Sequence, residues 1–171
     1  MINSKLIHMK KIFTLSFLIC IFLSSCAQDT HQNEDQSNKE IKLRPVLTKA
    51  EYQKILPGDV YEIAMEEGTE RPFSGKYNDF KGDGIFTCAV CGNPLFDSKT
   101  KFKSGTGWPS FYDVYNDKSI VEAVDRSLGI VRAEVECNRC KSHLGHVFDD
   151  GPNPTGLRYC INSLVLDFVP R

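Results

Sequence analysis

The stretch RYCINSLVLDFV, residues 158–169, has the β-branched and aromatic content of a strand. With a period of two, Arg158, Cys160 and Asn162 share one face while Tyr159 and Ile161 take the other. Upstream, GIFTCAV (84–90), SIVEAVD (119–125) and LGIVRAEVEC (128–137) are further apolar or alternating runs, set apart by clusters of Gly, Pro, Asn and Asp. From about Ile85 onward the chain is therefore expected to be mainly antiparallel β. One short helix is predicted ahead of it, because Thr48 stands where an N-cap would and Glu51, three residues later, completes a capping box. The LPG at 56–58 closes that turn.

A chain of 171 residues suits one domain of ordinary size. Its 21 basic and 22 acidic side chains nearly cancel and form no long basic run, which argues against nucleic acid as a partner. The first 25 residues read as an export signal. Lys10 and Lys11 precede a mostly apolar run, Ile12 to Leu23, too short to span a bilayer and of the length of a signal-peptide apolar region. LSSC at 23–26 is similar to the lipobox of bacterial lipoproteins, whose cysteine, here Cys26, is lipidated and becomes the new N-terminus. An ordinary signal peptide cut near Ala27 is the alternative; both readings export the body, to the periplasm or the cell exterior. Cleavage removes three lysines and no acid, leaving 18 basic against 22 acidic side chains. Residues 26–44 are polar and read as a flexible tether, and the domain is expected over 45–171.

Four of the seven cysteines stand in two Cys-x-x-Cys units, Cys88 with Cys91 and Cys137 with Cys140. Two such knuckles bring four thiolates to one tetrahedral zinc, a closed shell and hence a structural one. Disulfides compete with this reading, because an exporting chain meets oxidising compartments, and so does a thioredoxin-like redox pair. If Cys20 leaves with the signal, Cys26 is lipidated and four bind metal, Cys160 remains the only free thiol. In an exported protein such a thiol is a liability unless it is used.

The neighbours of Cys160 suit a nucleophile. Arg158 on the same face favours the thiolate, and Asn162 offers a hydrogen bond to an oxygen being lost or developed. A buried, inert cysteine is the plainer alternative. HLGHVFDDGP, from 143, places His143 and His146 just after the second knuckle; with a metal shell already filled, these imidazoles are left for proton transfer. SGTGWPSF, from 104, holds the only tryptophan, Trp108, in a Gly/Pro loop poorly suited to simple core filling; an indole face there suits a small apolar group such as an S-methyl.

SGTGWPSF, HLGHVFDDGP and RYCINS, with both knuckles in this order, closely resemble the methionine-R-sulfoxide reductase (MsrB) family over about residues 45–171. The resemblance implies two antiparallel sheets and a structural four-cysteine zinc clamp remote from the active cysteine. It implies that Cys160 attacks the sulfur of methionine sulfoxide, R epimer, to give methionine and a cysteine sulfenic acid. Trp108 then packs the substrate methyl, and His143, His146 and Asn162 hold the sulfoxide oxygen and supply its proton. The implied partners are oxidised proteins or peptides and a thioredoxin-like reductant, for a chain expected to be a monomer. Many members carry a resolving cysteine in the SGxGWPSF motif, where this chain has Thr106. The sulfenic acid is therefore expected to be reduced directly by an external thiol, the alternative being a knuckle cysteine at the cost of the metal. A non-catalytic binding module and a Cys-x-x-Cys disulfide oxidoreductase are the competing classes.

Overall fold

In the computed structural model, which describes residues 40–171, the capping box forms: Thr48 N–H donates to Glu51 at 2.8 Å and Glu51 N–H to Thr48 Oγ1 at 3.4 Å. It opens helix α1, Lys49–Ile55. The signal segment, Cys26 and most of the expected tether lie outside the described residues. A second helix, α2, Gly58–Glu66, follows at once where only one was expected. Its N-cap is Pro57: a proline has no N–H to leave unpaired at a helix start, so LPG begins a helix as readily as it ends one.

Among the described residues nine strands form two antiparallel sheets, as expected: β1 Gly84–Cys88, β2 Pro94–Asp97, β3 Lys101–Phe102, β4 Ser110–Phe111, β5 Ile120–Asp125, β6 Arg132–Cys137, β7 His143–Phe148, β8 Arg158–Ile161 and β9 Leu166–Pro170. One sheet has the order β2-β1-β9 and the other β3-β4-β8-β7-β6-β5. The core lies between them. Phe86 and Phe96 from the first sheet meet Phe111 and Tyr159 from the second, and Phe96 stacks on Phe111 at 4.4 Å between ring centres. Tyr159 and Ile161 are buried in this core, so the alternation read from 158 to 162 places its apolar side inward.

RYCINSLVLDFV is two strands rather than one. β8 ends at Ile161, a 3-10 turn at Ser163–Val165 turns the chain, and β9 continues in the other sheet. The corner is held from far away in sequence. The buried carboxylate of Glu70 accepts the N–H groups of Ser163 and Leu164 at 2.7 and 3.0 Å, and Ser163 Oγ accepts from Tyr77 N–H at 3.0 Å. Cys160 and Asn162 thus sit at the end of a strand whose exit is pinned.

Arg44, the last residue of the expected tether, is also bound to the domain. Arg44 N–H donates to Cys91 O at 2.9 Å, and its guanidinium reaches Cys88 O and Ala89 O at 2.8 and 2.6 Å. These carbonyls belong to the first knuckle, so the chain ahead of α1 is fastened to that turn.

Candidate active site and metal centre

The knuckles form at the ends of β1 and β6. Gly92 N–H donates to Cys88 O and Lys141 N–H to Cys137 O, both at 2.8 Å, so each unit folds into the same tight turn. The residue after each second cysteine is left-handed, Gly92 at φ 77 and Lys141 at φ 60. At Gly92 a Cβ would stand 2.2 Å from Lys42 O, so only glycine fits there; Lys141 is exposed.

All four sulfurs lie within 4.8 Å of one another, Cys88 to Cys140 at 3.7 Å and Cys91 to Cys137 at 3.6 Å. A tetrahedral zinc with bonds of about 2.3 Å sets its sulfurs about 3.8 Å apart, so the cluster fits a closed four-thiolate metal site. The sulfurs are unbonded to one another. Ser142 Oγ lies 3.3 Å from Cys140 Sγ and 3.5 Å from Cys88 Sγ, and Asn93 Nδ2 donates to Cys137 Sγ at 3.7 Å, a contact of the kind that supports a metal-bound thiolate.

Cys160 stands apart from this cluster, on β8 between β4 and β7, paired in register with Ser110 and His146. With Thr69, Trp108, Arg132, Gly145, His146, Phe148 and Asn162 it lines a pocket of about 120 Å³, a volume for the end of a side chain rather than a whole ligand. Gly145 lets the strands close. A Cβ on it would lie 2.0 Å from Cys160 O.

Of the residues singled out in the sequence, Cys160, His146, Asn162 and Trp108 meet in this pocket. Trp108 is aimed by its indole N–H, which donates to Glu70 O at 3.2 Å. Asn162 Oδ1 accepts from Glu70 N–H and its Nδ2 donates to Leu144 O, both at 3.0 Å, leaving one amide hydrogen uncommitted. His143 lies outside the pocket lining, buried with Nδ1 2.6 Å from Glu134 Oε1 and with Nε2 unpartnered among the described residues.

Arg158 also stands outside the lining. Its guanidinium lies on the Phe148 ring at 4.3 Å and forms a two-point pair with Asp150, at 2.7 and 2.9 Å. Part of its charge is thereby spent on Asp150. Burial pushes the Cys160 thiol up, and Thr106, 3.8 Å from Sγ, with the Arg158 charge, opposes that only in part. Arg158 pulls toward the thiolate, and burial outweighs it.

Sequence reading missed Asp125, Arg132, Glu134 and Glu70. Asp125 Oδ2 lies 2.8 Å from His146 Nε2 and 2.6 Å from Arg132 Nη2, and Ser127 N–H donates to Asp125 Oδ1 at 2.7 Å. The Ser127 hydrogen bonds, then the one from His146, hold the Asp125 carboxyl well below the usual carboxylate range. Burial pulls His146 below an ordinary imidazole, with Asp125 pushing back. The signal that could have found the first three is the β5–β6 alternation, which puts Asp125, Arg132 and Glu134 on one face once the hairpin register is known.

The SelR domain family matches residues 56–170. The peptide methionine sulfoxide reductase MsrB of Pseudomonas fluorescens strain Pf-5 is 57% identical over 124 residues, 72% of this chain and 95% of that protein. Proteins of the same name from Pseudomonas syringae pv. syringae strain B728a and Pseudomonas putida strain KT2440 are 56% and 55% identical over the same shares of each chain.

Proposed function

This chain belongs to the MsrB family of peptide methionine sulfoxide reductases, and we propose that it reduces the R epimer of methionine sulfoxide in oxidised proteins and peptides. The observation that carries the reading is the meeting of Cys160, His146, Trp108 and Asn162 in one side-chain-sized pocket. Trp108 offers an apolar face to the S-methyl, and the spare amide hydrogen of Asn162 suits the sulfoxide oxygen.

Cys160 Sγ attacks the substrate sulfur, the oxygen takes a proton, and methionine leaves while the oxygen remains on Cys160 as a sulfenic acid. The substrate sulfur gains two electrons and Cys160 loses two. Two external thiol groups then return Cys160 to the thiol, releasing water and forming a disulfide between themselves. Thr106 occupies the position of the family's resolving cysteine, so a thioredoxin-like protein or other thiol reduces Cys160 directly.

The metal at Cys88, Cys91, Cys137 and Cys140 is zinc, and it supplies folding energy rather than chemistry. Residues 1–25 act as a lipoprotein signal and Cys26 as the lipid attachment, placing a monomeric domain on the outer side of a bacterial membrane. Among the described residues no helix is long and apolar enough to cross a membrane.

The deciding test is a thiol-driven assay on a peptide carrying either epimer of methionine sulfoxide, beside Cys160→Ser. Loss of the R epimer alone, abolished by the substitution, is the expected result. No turnover of either epimer by folded, zinc-loaded protein would turn the reading toward a binding module.

A further inference from the structure

A raised thiol needs a base before it can attack, and the pocket holds one. His146 is the register partner of Cys160 across β7 and β8, and both line the same pocket. Its Nε2 is turned away onto Asp125 at 2.8 Å. An ionised carboxylate only accepts, so Nε2 must carry the hydrogen and the lone pair of the neutral ring must sit on Nδ1. No described residue, Cys160 included, hydrogen-bonds to Nδ1; catalytic contacts of this kind often tighten only once substrate is bound. Asp125 is itself fixed on two further sides, by Arg132 Nη2 on Oδ2 and by Ser127 N–H on Oδ1.

We propose that Cys160, His146 and Asp125 work as a nucleophile–imidazole–carboxylate triad, with Asp125 as the positioning residue and Arg132 holding Asp125 in place. The inference rests on the proposed sulfoxide reduction for its chemistry. His146 Nδ1 takes the proton from Cys160 Sγ as the sulfur attacks, and the same proton passes to the sulfoxide oxygen. No proton is left over, since thiol plus sulfoxide gives sulfenic acid plus sulfide. Asp125 balances the imidazolium that exists between the two transfers.

His143 is the other candidate for this role, and geometry removes it. It is 4% exposed on its side chain, lies outside the pocket lining and is tied to Glu134. The groups facing His146 are Asp125 from β5, Arg132 and Glu134 from β6, His143 from β7 and Cys160 from β8. Helix α2 packs against β7 and carries Asp59, Tyr61, Glu62 and Glu66, none of which hydrogen-bonds to either histidine. Asp125 is thus the carboxylate that reaches the ring.

The first test needs neither a variant nor turnover: the tautomer of His146 in the zinc-loaded protein, read from its ring nitrogens by NMR. A neutral ring protonated on Nε2 is expected; one protonated on Nδ1 would overturn the triad. The second is Asp125→Asn, expected to lower the His146 pKa and to lower kcat by about 10²-fold, with KM little changed. An unchanged pKa with kcat within about twofold would reduce Asp125 to a structural residue. If the unsubstituted protein turned over no sulfoxide, the functional reading would fall, whereas the tautomer would still decide the placement of His146.

Discussion

Two cysteine sites in one chain are built in opposite ways. At the knuckles, four sulfurs converge through two local turns, each made within five consecutive residues, and the ligands close on one another. At the pocket a single sulfur is surrounded by side chains from β6, β7, β8, the loop around Trp108 and the segment before β1. The first site is closed and serves the fold. The second keeps a space beside the sulfur, and its cost is a thiol, an imidazole and a carboxylate partly removed from water.

The largest effect that could break this contrast lies at the clamp. Cys137→Ser removes one of four ligands, and structural zinc in small domains is worth on the order of 10 kcal/mol of folding free energy, comparable with the roughly 5–15 kcal/mol that holds a domain together. The variant is expected to lose its zinc and its cooperative thermal transition. Retention of a normal melt without metal would mean that the clamp is not what holds β1 to β6.

Gly145→Ala attacks the other site and should spare the first. The added Cβ stands 2.0 Å from Cys160 O, so β7 and β8 must separate just where His146 and Cys160 face each other. A displacement near 1 Å costs about 10²-fold in rate. The expected outcome is a kcat loss of that order with zinc content unchanged, checked by turnover beside metal analysis; zinc loss in this variant would show the two sites to be mechanically joined.

The contrast also explains what was legible beforehand. The knuckles, the face shared by Cys160 and Asn162, and the inward side of Tyr159 and Ile161 depend on spacing within a few residues, which sequence displays directly. Asp125 meets His146 across 21 positions, through a hairpin register with an irregularity between Val135 and Glu136 that sequence does not announce. Glu70 meets Ser163 across 93 positions, and without it nothing marks the corner that splits RYCINSLVLDFV into two strands. Pro57 misled for a different reason: proline suits both the end of one helix and the start of the next.

A smaller effect separates the two kinds of thiol by pH. Burial raises the Cys160 pKa, so its thiolate fraction at neutral pH is below that of an ordinary cysteine and grows as pH rises. Alkylation of Cys160 by iodoacetamide, followed by mass spectrometry, is expected to reach half its maximal rate at a higher pH than an ordinary cysteine, while the four clamp thiols, if metal holds them, stay unmodified throughout. A midpoint below neutrality would mean that Arg158 outweighs burial, and the resting enzyme would then need no base.

The smallest change is the most informative about recycling. Thr106 Oγ1 lies 3.8 Å from Cys160 Sγ, on a loop tied by Ser104 to both Thr106 and Ser110. Thr106→Cys would put a second sulfur near the first, and a modest shift of the loop would bring the two to the bond length of about 2.05 Å. Reduction of one sulfoxide should then leave an intramolecular disulfide between residues 106 and 160, seen by mass spectrometry. The unsubstituted protein should instead leave a sulfenic acid that dimedone traps. Single-turnover formation of methionine should be nearly equal in both, because the substitution acts after oxygen transfer. A disulfide from Cys160 to a knuckle cysteine in the unsubstituted protein would join the two sites chemically and end the separation drawn between them.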